Sequence, residues 1–259
     1  MSTLAAAAFG DCPGRWPLPD ATTPLERWQR AVAAGGQGRY ASATSDLDTL
    51  SRTPSLGSLA SLAHSTRASF LRQLGGHVSA RSWDGYAWAL AGSDAEAGAD
   101  ALIGLAADAL GVGRFAASAR LLRRAGAIVG DDVPARSKVR LAWVTAELAM
   151  VTGDGFAAVG HARRAAAASE STSSVRHAVK SQVVLAAALC CAGDLGESRR
   201  IADAALAAAQ HHGLVPLSWA LACLLVDVGS SAYSPAEVVT VRDDAADTVR
   251  NRGGVWSGR

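Results

Sequence analysis

The sequence is short of most residues that would announce a chemistry. Lys138 and Lys180 are its only lysines and Asn251 its only asparagine, among 259 residues. Aromatics make up 5%. The formal net charge is only +2, so overall charge gives no reason to expect a nucleic acid or an anionic membrane as partner. The four cysteines, Cys12, Cys190, Cys191 and Cys223, show no CxxC spacing. Cys190 and Cys191 are adjacent, so on a helix they project about 100° apart and share a metal poorly. They read as small apolar residues in a reducing compartment. No uninterrupted apolar run reaches about 18 residues, which excludes a membrane-spanning helix on this pattern. The first twenty residues lack the positive stretch and apolar length of a signal peptide, so a cytoplasmic location is expected.

Chemical motifs are missing as well. His64, His77, His161, His177, His211 and His212 form no HExxH and no i,i+4 pair, and no Cys/His zinc pattern is present. There is no phosphate-binding loop following a strand and no GxSxG elbow. No catalytic residue, metal or cofactor is therefore expected.

What the chain has in quantity is Ala, Leu and Val. Hydrophobic residues reach 49% with few aromatics, and Ala and Leu are the strongest helix formers, so an all-α chain is expected. The preference for Arg over Lys, with abundant Ala and Gly, is that of a GC-rich bacterial genome. A period runs through most of the sequence. Helical stretches are separated by turns reading GQGRYASA, QLGGHVSA, GVGRFAAS, TGDGFAAV, AGDLGES and DVGSSAYS. Their glycines are Gly38, Gly75, Gly113, Gly153, Gly193 and Gly229, spaced 37, 38, 40, 40 and 36 residues apart.

Small residues keep fixed offsets from these glycines. Seven residues before stand Ala31, Ala68, Ala106, Ala146, Ala186 and Ala222. Five after stand Ala43, Ala80, Ser118, Ala158, Ser198 and Ser234, and twelve after, in the middle units, Ala87, Ala125, Ala165 and Ala205. Small residues on both sides of a turn let two antiparallel helices approach closely. Thr23–Glu26, Ser93–Glu96 and Ser234–Glu237 match the capping box that opens a helix.

The small residue before the turn, the Gly-x-aromatic of GRY and GRF, and the two small residues after it resemble tetratricopeptide repeats (TPR) over about residues 24–250. That resemblance implies a right-handed superhelix of five to six antiparallel helical hairpins, a TPR-like α-solenoid. It also implies a partner protein or peptide held along the concave face. The expected organisation is an irregular segment over 1–22, a repeat domain over 23–254 and a flexible tail over 255–259. The repeats run longer than the family's usual spacing, and some members clamp a peptide carboxylate with Asn and Lys; this chain has no Asn there, so that mode is not carried over.

One stretch breaks the apolar pattern. Arg67 lies eight residues before Gly75 and Asp84 nine after it. The same offsets hold Leu105 and Leu122 in the third unit, and Leu185 and Ala202 in the fifth. Arg67 and Asp84 are therefore expected to form a buried salt bridge across the hairpin seam. A catalytic Asp84 lacks a matching base and nucleophile.

The concave face is expected to carry Ser65, Thr66, Ser69, Arg72, Gln73, Arg140, Trp143, Glu147, Lys180, Trp219 and Cys223. Neither Arg72 nor Arg140 is expected to be buried. Trp28, Trp143 and Trp219 each lie ten residues before their glycine; Trp28 is expected on the core side, and a shift of register by one residue would turn Trp143 and Trp219 from the groove into the core as well. The second helices carry a basic stripe, Arg120, Arg123, Arg124, Arg163, Arg164, Arg199 and Arg200. It offers a nucleic-acid reading, which ranks behind a solvated face because acids interleave it and aromatics do not. The function expected is a protein- or peptide-binding scaffold, adaptor or regulatory subunit, with self-association as a further mode.

Overall fold

The structure, a computed structural model, describes residues 1–53 and 57–257. Thirteen α-helices and no strand are found among them. A short α1 (Thr3–Phe9) precedes six antiparallel pairs. The pairs are α2 (Pro24–Gly36) with α3 (Tyr40–Ser51), α4 (Ser58–Gln73) with α5 (His77–Leu90), and α6 (Ala95–Gly111) with α7 (Phe115–Ile128). They continue with α8 (Ala135–Val151) and α9 (Gly155–Glu170), α10 (Val175–Cys191) and α11 (Leu195–His211), and α12 (Val215–Val228) and α13 (Pro235–Asn251).

The repeat offsets account for this pairing. All six turn glycines lie at positive φ, between 73° and 86°, the left-handed conformation that ends a helix cheaply only with glycine. The six alanines seven residues before them are all fully buried, as are the small residues five after in the first five units. Ser234 departs from the pattern: it is an exposed N-cap whose hydroxyl accepts from Glu237 N–H, so the sixth hairpin has a longer connection. Thr23 and Ser234 form the expected capping boxes. Ser93 does not, because Asp94 caps α6 and Glu96 is drawn instead to Arg136.

The first helices α2, α4, α6, α8, α10 and α12 touch one another in sequence. Each second helix packs on its own first helix and on the next. This is the layering of a helical-repeat solenoid, in which each unit buries its apolar face against neighbours.

Both chain ends, the first expected to be irregular and the second flexible, lie against the repeats over their described residues. Residues 1–22 contain α1, which lies on α2 and reaches α10, where Val175 N–H donates to the Gly10 carbonyl at 3.1 Å. The turn after α13 packs back onto the first hairpin: Ala41 N–H donates to the Arg252 carbonyl, and the Arg252 guanidinium donates to the Gln37 carbonyl at 2.8 Å. Ser257 N–H donates to the Leu74 carbonyl, and Trp256 lies against Trp219 with ring centres 4.3 Å apart. The tail is docked as far as Ser257; residues 258 and 259 lie outside the described part. The sixth hairpin thus meets the first, and the inner helices surround a central space. No helix among the described residues is long and apolar enough to cross a membrane.

Candidate functional site

The central space is a cavity of about 300 Å³ walled chiefly by the first helices. Nine of the expected concave residues border it: Ser65, Thr66, Ser69, Arg72, Gln73, Arg140, Trp143, Glu147 and Lys180. Trp219, which lies against Trp256, does not; nor does Cys223. Aromatic rings line the wall, Trp28, Trp143 and Phe9 among them. Trp28 is buried and donates to Thr66 Oγ1 at 2.9 Å, so it belongs to both core and cavity. Trp143 donates to Ser181 Oγ at 2.9 Å and stacks on His177, ring centres 5.4 Å apart. Phe9, brought in by α1, lies 5.3 Å from Trp28.

The charges sort differently from expectation. Arg67 does not meet Asp84. It pairs with Asp48 on α3 and lies over the Trp83 ring. Asp84, fully buried, is held by Arg72, which also binds Asp108 at 3.1 Å. The reason sits on a third helix. Asp84 turns toward α6, where Gly104 has no side chain; a Cβ there would lie 2.3 Å from Asp84 Oδ2. Arg72 is the arginine of α4 that reaches that space. Its side chain is only 11% exposed, so it is a buried structural cation and not a free groove residue. Two carboxylates sharing one guanidinium away from water do not both ionise easily. Burial pushes Asp84 up from 3.8 to about 7 and raises Asp108 too, against the pull of Arg72.

A second cluster joins α6, α8 and α10. Asp100 is buried between Arg136 at 2.9 Å and Arg140 at 2.6 Å. Desolvation is outweighed there by the two guanidinia, so Asp100 is held below its ordinary value. Arg136 also binds Glu96 through Nε at 2.8 Å, and its guanidinium lies 5.4 Å from the Phe9 ring centre. Arg140 is only 18% exposed, contrary to expectation. Lys180 sits 3.7 Å from Glu147 and 5.6 Å from the Trp143 ring centre.

Arg176 is the exception. No carboxylate lies within ion-pair distance among the described residues, and its one hydrogen bond goes to the Ala8 carbonyl at 3.4 Å. Its Nε is buried without an acceptor. Burial, with Arg140 and Arg136 nearby, lowers it to about 10, so it stays charged at neutral pH. Gly36 makes its place: a Cβ there would lie 2.9 Å from Arg176 Cδ. Burial and the same arginines keep His177 well below its ordinary value and therefore neutral.

Arg136, Arg176, His177, Asp100 and Asp108 were not singled out from the sequence, yet a signal was there. Seventeen and thirteen residues before the glycine stand Glu96 and Asp100 in the third unit, Arg136 and Arg140 in the fourth, Arg176 and Lys180 in the fifth. One acidic rung is followed by two basic ones, and the last is left over.

The basic stripe lies outside, on α7, α9 and α11. Six of its seven arginines are exposed, but Arg199 donates to the Val228 carbonyl that ends α12, Arg124 lies over Trp88, and Arg200 pairs with Glu197. No group of three or more His, Cys, Asp or Glu able to hold a metal occurs among the described residues. Compared with known protein families, curated proteins and solved structures, the chain matches none.

Proposed function

We propose that this chain is a TPR-like binding protein, a right-handed solenoid acting as a scaffold, adaptor or regulatory subunit rather than an enzyme. Its partner, a protein or peptide, is engaged on the concave side. The observation carrying this reading is the composition of the inner surface. Helices α4, α8 and α10 of three apolar-packed hairpins place Ser65, Thr66, Ser69, Gln73, Glu147 and Lys180 around one cavity, although packing alone would be served by alanine there. The cavity admits a short element of a partner, such as a chain end or a single inserted side chain, and not a whole helix. Against catalysis, the Asp84–Asp108 pair is committed to Arg72.

Affinity purification from native cells with the wild-type chain and with Ser69→Trp, which fills the cavity, tests the reading. A protein retained by the wild type and lost with the filled variant supports it. A partner kept equally by both moves the site to the outer surface, where low-salt nucleic-acid binding through Arg120, Arg123 and Arg163 becomes the reading to measure.

A further inference from the structure

We propose that the cavity is a specific site for a monocarboxylate carrying an apolar body, its carboxylate seated on Arg176 and its body against Trp28, Trp143 and Phe9. This rests on the inner cavity being the binding face, and it names what that face recognises.

The charge ladder carries the argument. Arg72 is matched by Asp84 and Asp108, Arg136 and Arg140 by Glu96 and Asp100, and Lys180 by Glu147. Of the cations lining the cavity of about 300 Å³, Arg176 alone has no anion among the described residues. A buried cation without a counterion is costly, and a structural arginine would ordinarily carry its acid with it. The position one rung beyond, seventeen residues before Gly229, is His212, which is not an acid. An acid supplied by a ligand completes the ladder.

The anion is a single charge. Asp100 and Glu147 also face the cavity and repel a second negative charge. A planar guanidinium matches a carboxylate through two parallel N–H donors. The apolar body follows from the wall: Phe9, Trp28 and Trp143 present ring surface, with Val32, Ile103 and Leu217 beside them. The volume is at the lower end for small-ligand sites, so the body is of the size of one aromatic ring or a short alkyl chain. A free metabolite and a peptide's C-terminal residue share this chemistry.

Titration calorimetry on the full chain tests it, with phenylacetate, hexanoate and acetyl-Ala-Phe as carboxylates, their three amides as neutral matches, and inorganic phosphate. At least one carboxylate is expected to bind saturably, about tenfold or more tighter than its amide. Binding confined to acetyl-Ala-Phe assigns the site to a chain end; binding by phenylacetate or hexanoate assigns it to a small molecule. Arg176→Met is expected to abolish the preference for carboxylate over amide, and Arg176→Lys to keep part of it. Thermal unfolding confirms that both variants fold, and removing an unpaired buried charge should not lower the midpoint. The proposal is overturned if acids and amides bind alike, if Arg176→Met binds the acids as the wild type does, if phosphate binds more tightly, or if no carboxylate saturates below about 10 mM. A partner still lost with Ser69→Trp, alongside any of these, leaves the concave-face function standing and removes only the carboxylate.

Discussion

Arg72 donates to Asp84 across the hairpin of α4 and α5, and the same guanidinium nitrogen donates to Asp108 of α6. The pair ties one hairpin to the next, at a point where both acids are fully buried. Arg67, one turn earlier on α4, binds the half-exposed Asp48 instead.

Removing the two arginines should therefore have unequal effects. Arg72→Met strands two buried carboxylates and is expected to cost about 3–5 kcal/mol. Arg67→Met disturbs a pair whose acid is in water and should cost about 1 kcal/mol or less. Urea unfolding of the two variants gives the comparison, and equal losses would show that Asp84 is not held by Arg72.

Stability should also carry an Asp84 signature in pH. Its pKa rises from 3.8 to about 7 on folding, so the folded chain holds a proton there that the unfolded chain releases. The resulting stabilisation is full below pH 3.8 and is lost as pH rises through 7. His177, kept well below its ordinary value, works in the opposite direction and weakens the fold as pH falls. The contributions separate by difference. Asp84→Asn should gain on the wild type by up to about 1.4 kcal/mol per pH unit between pH 5 and 7. Parallel stability–pH curves for the two proteins would remove the raised carboxyl. Arg72, Asp108 and Arg140 face the same group, and His77 faces Asp108, so the midpoint belongs to the cluster and not to Asp84 alone.

Two helical glycines should respond to alanine with opposite signs. Gly85 in α5 has open space where a Cβ would go, so Gly85→Ala should stabilise by about 1 kcal/mol through helix propensity. Gly104 in α6 has the Asp84 carboxylate there at 2.3–2.5 Å, and Gly104→Ala should destabilise by about 1–3 kcal/mol. Thermal unfolding of both variants decides it; a stabilised Gly104→Ala would mean that Asp84 lies elsewhere.

Closure of the solenoid rests partly on Trp256. Trp256→Ala uncovers Trp219 and should cost about 1–3 kcal/mol while leaving the far-ultraviolet circular dichroism unchanged. Faster amide exchange at Ser257, whose N–H bonds the Leu74 carbonyl, should accompany it. If neither the midpoint nor the exchange moves, the tail is not docked in solution.

The hairpins were legible in the sequence because their cause is local and repeated. Each turn needs a glycine at positive φ, and each close helix contact needs a small side chain at a set distance from it. Six glycines and six alanines meet those needs in register. Most of the cavity wall could be read for the same reason: residues of the first helices at the right offsets face inward wherever the stacking is regular. Whether Trp219 joins that wall was not legible, because Trp256, which lies against it, comes from beyond the repeats. The short α1 was missed because seven residues followed by a proline-rich stretch carry little periodic signal.

The ion pairs were decided by tertiary structure alone. Sequence offsets place an arginine and an aspartate near the same seam, but a guanidinium on a long side chain can reach several carboxylates. Which one it takes depends on where a third helix leaves room. Gly104 and Gly36 make that choice, for Asp84 and for Arg176, and nothing near either charge in the sequence points to them. Ring closure is likewise a sum over six small rotations between units, which no single unit encodes. The sequence by itself determined a stack of helical hairpins with a polar inner face. Only the folded chain brought its two ends together, made that face the wall of a cavity, and left Arg176 there with no acid beside it among the described residues.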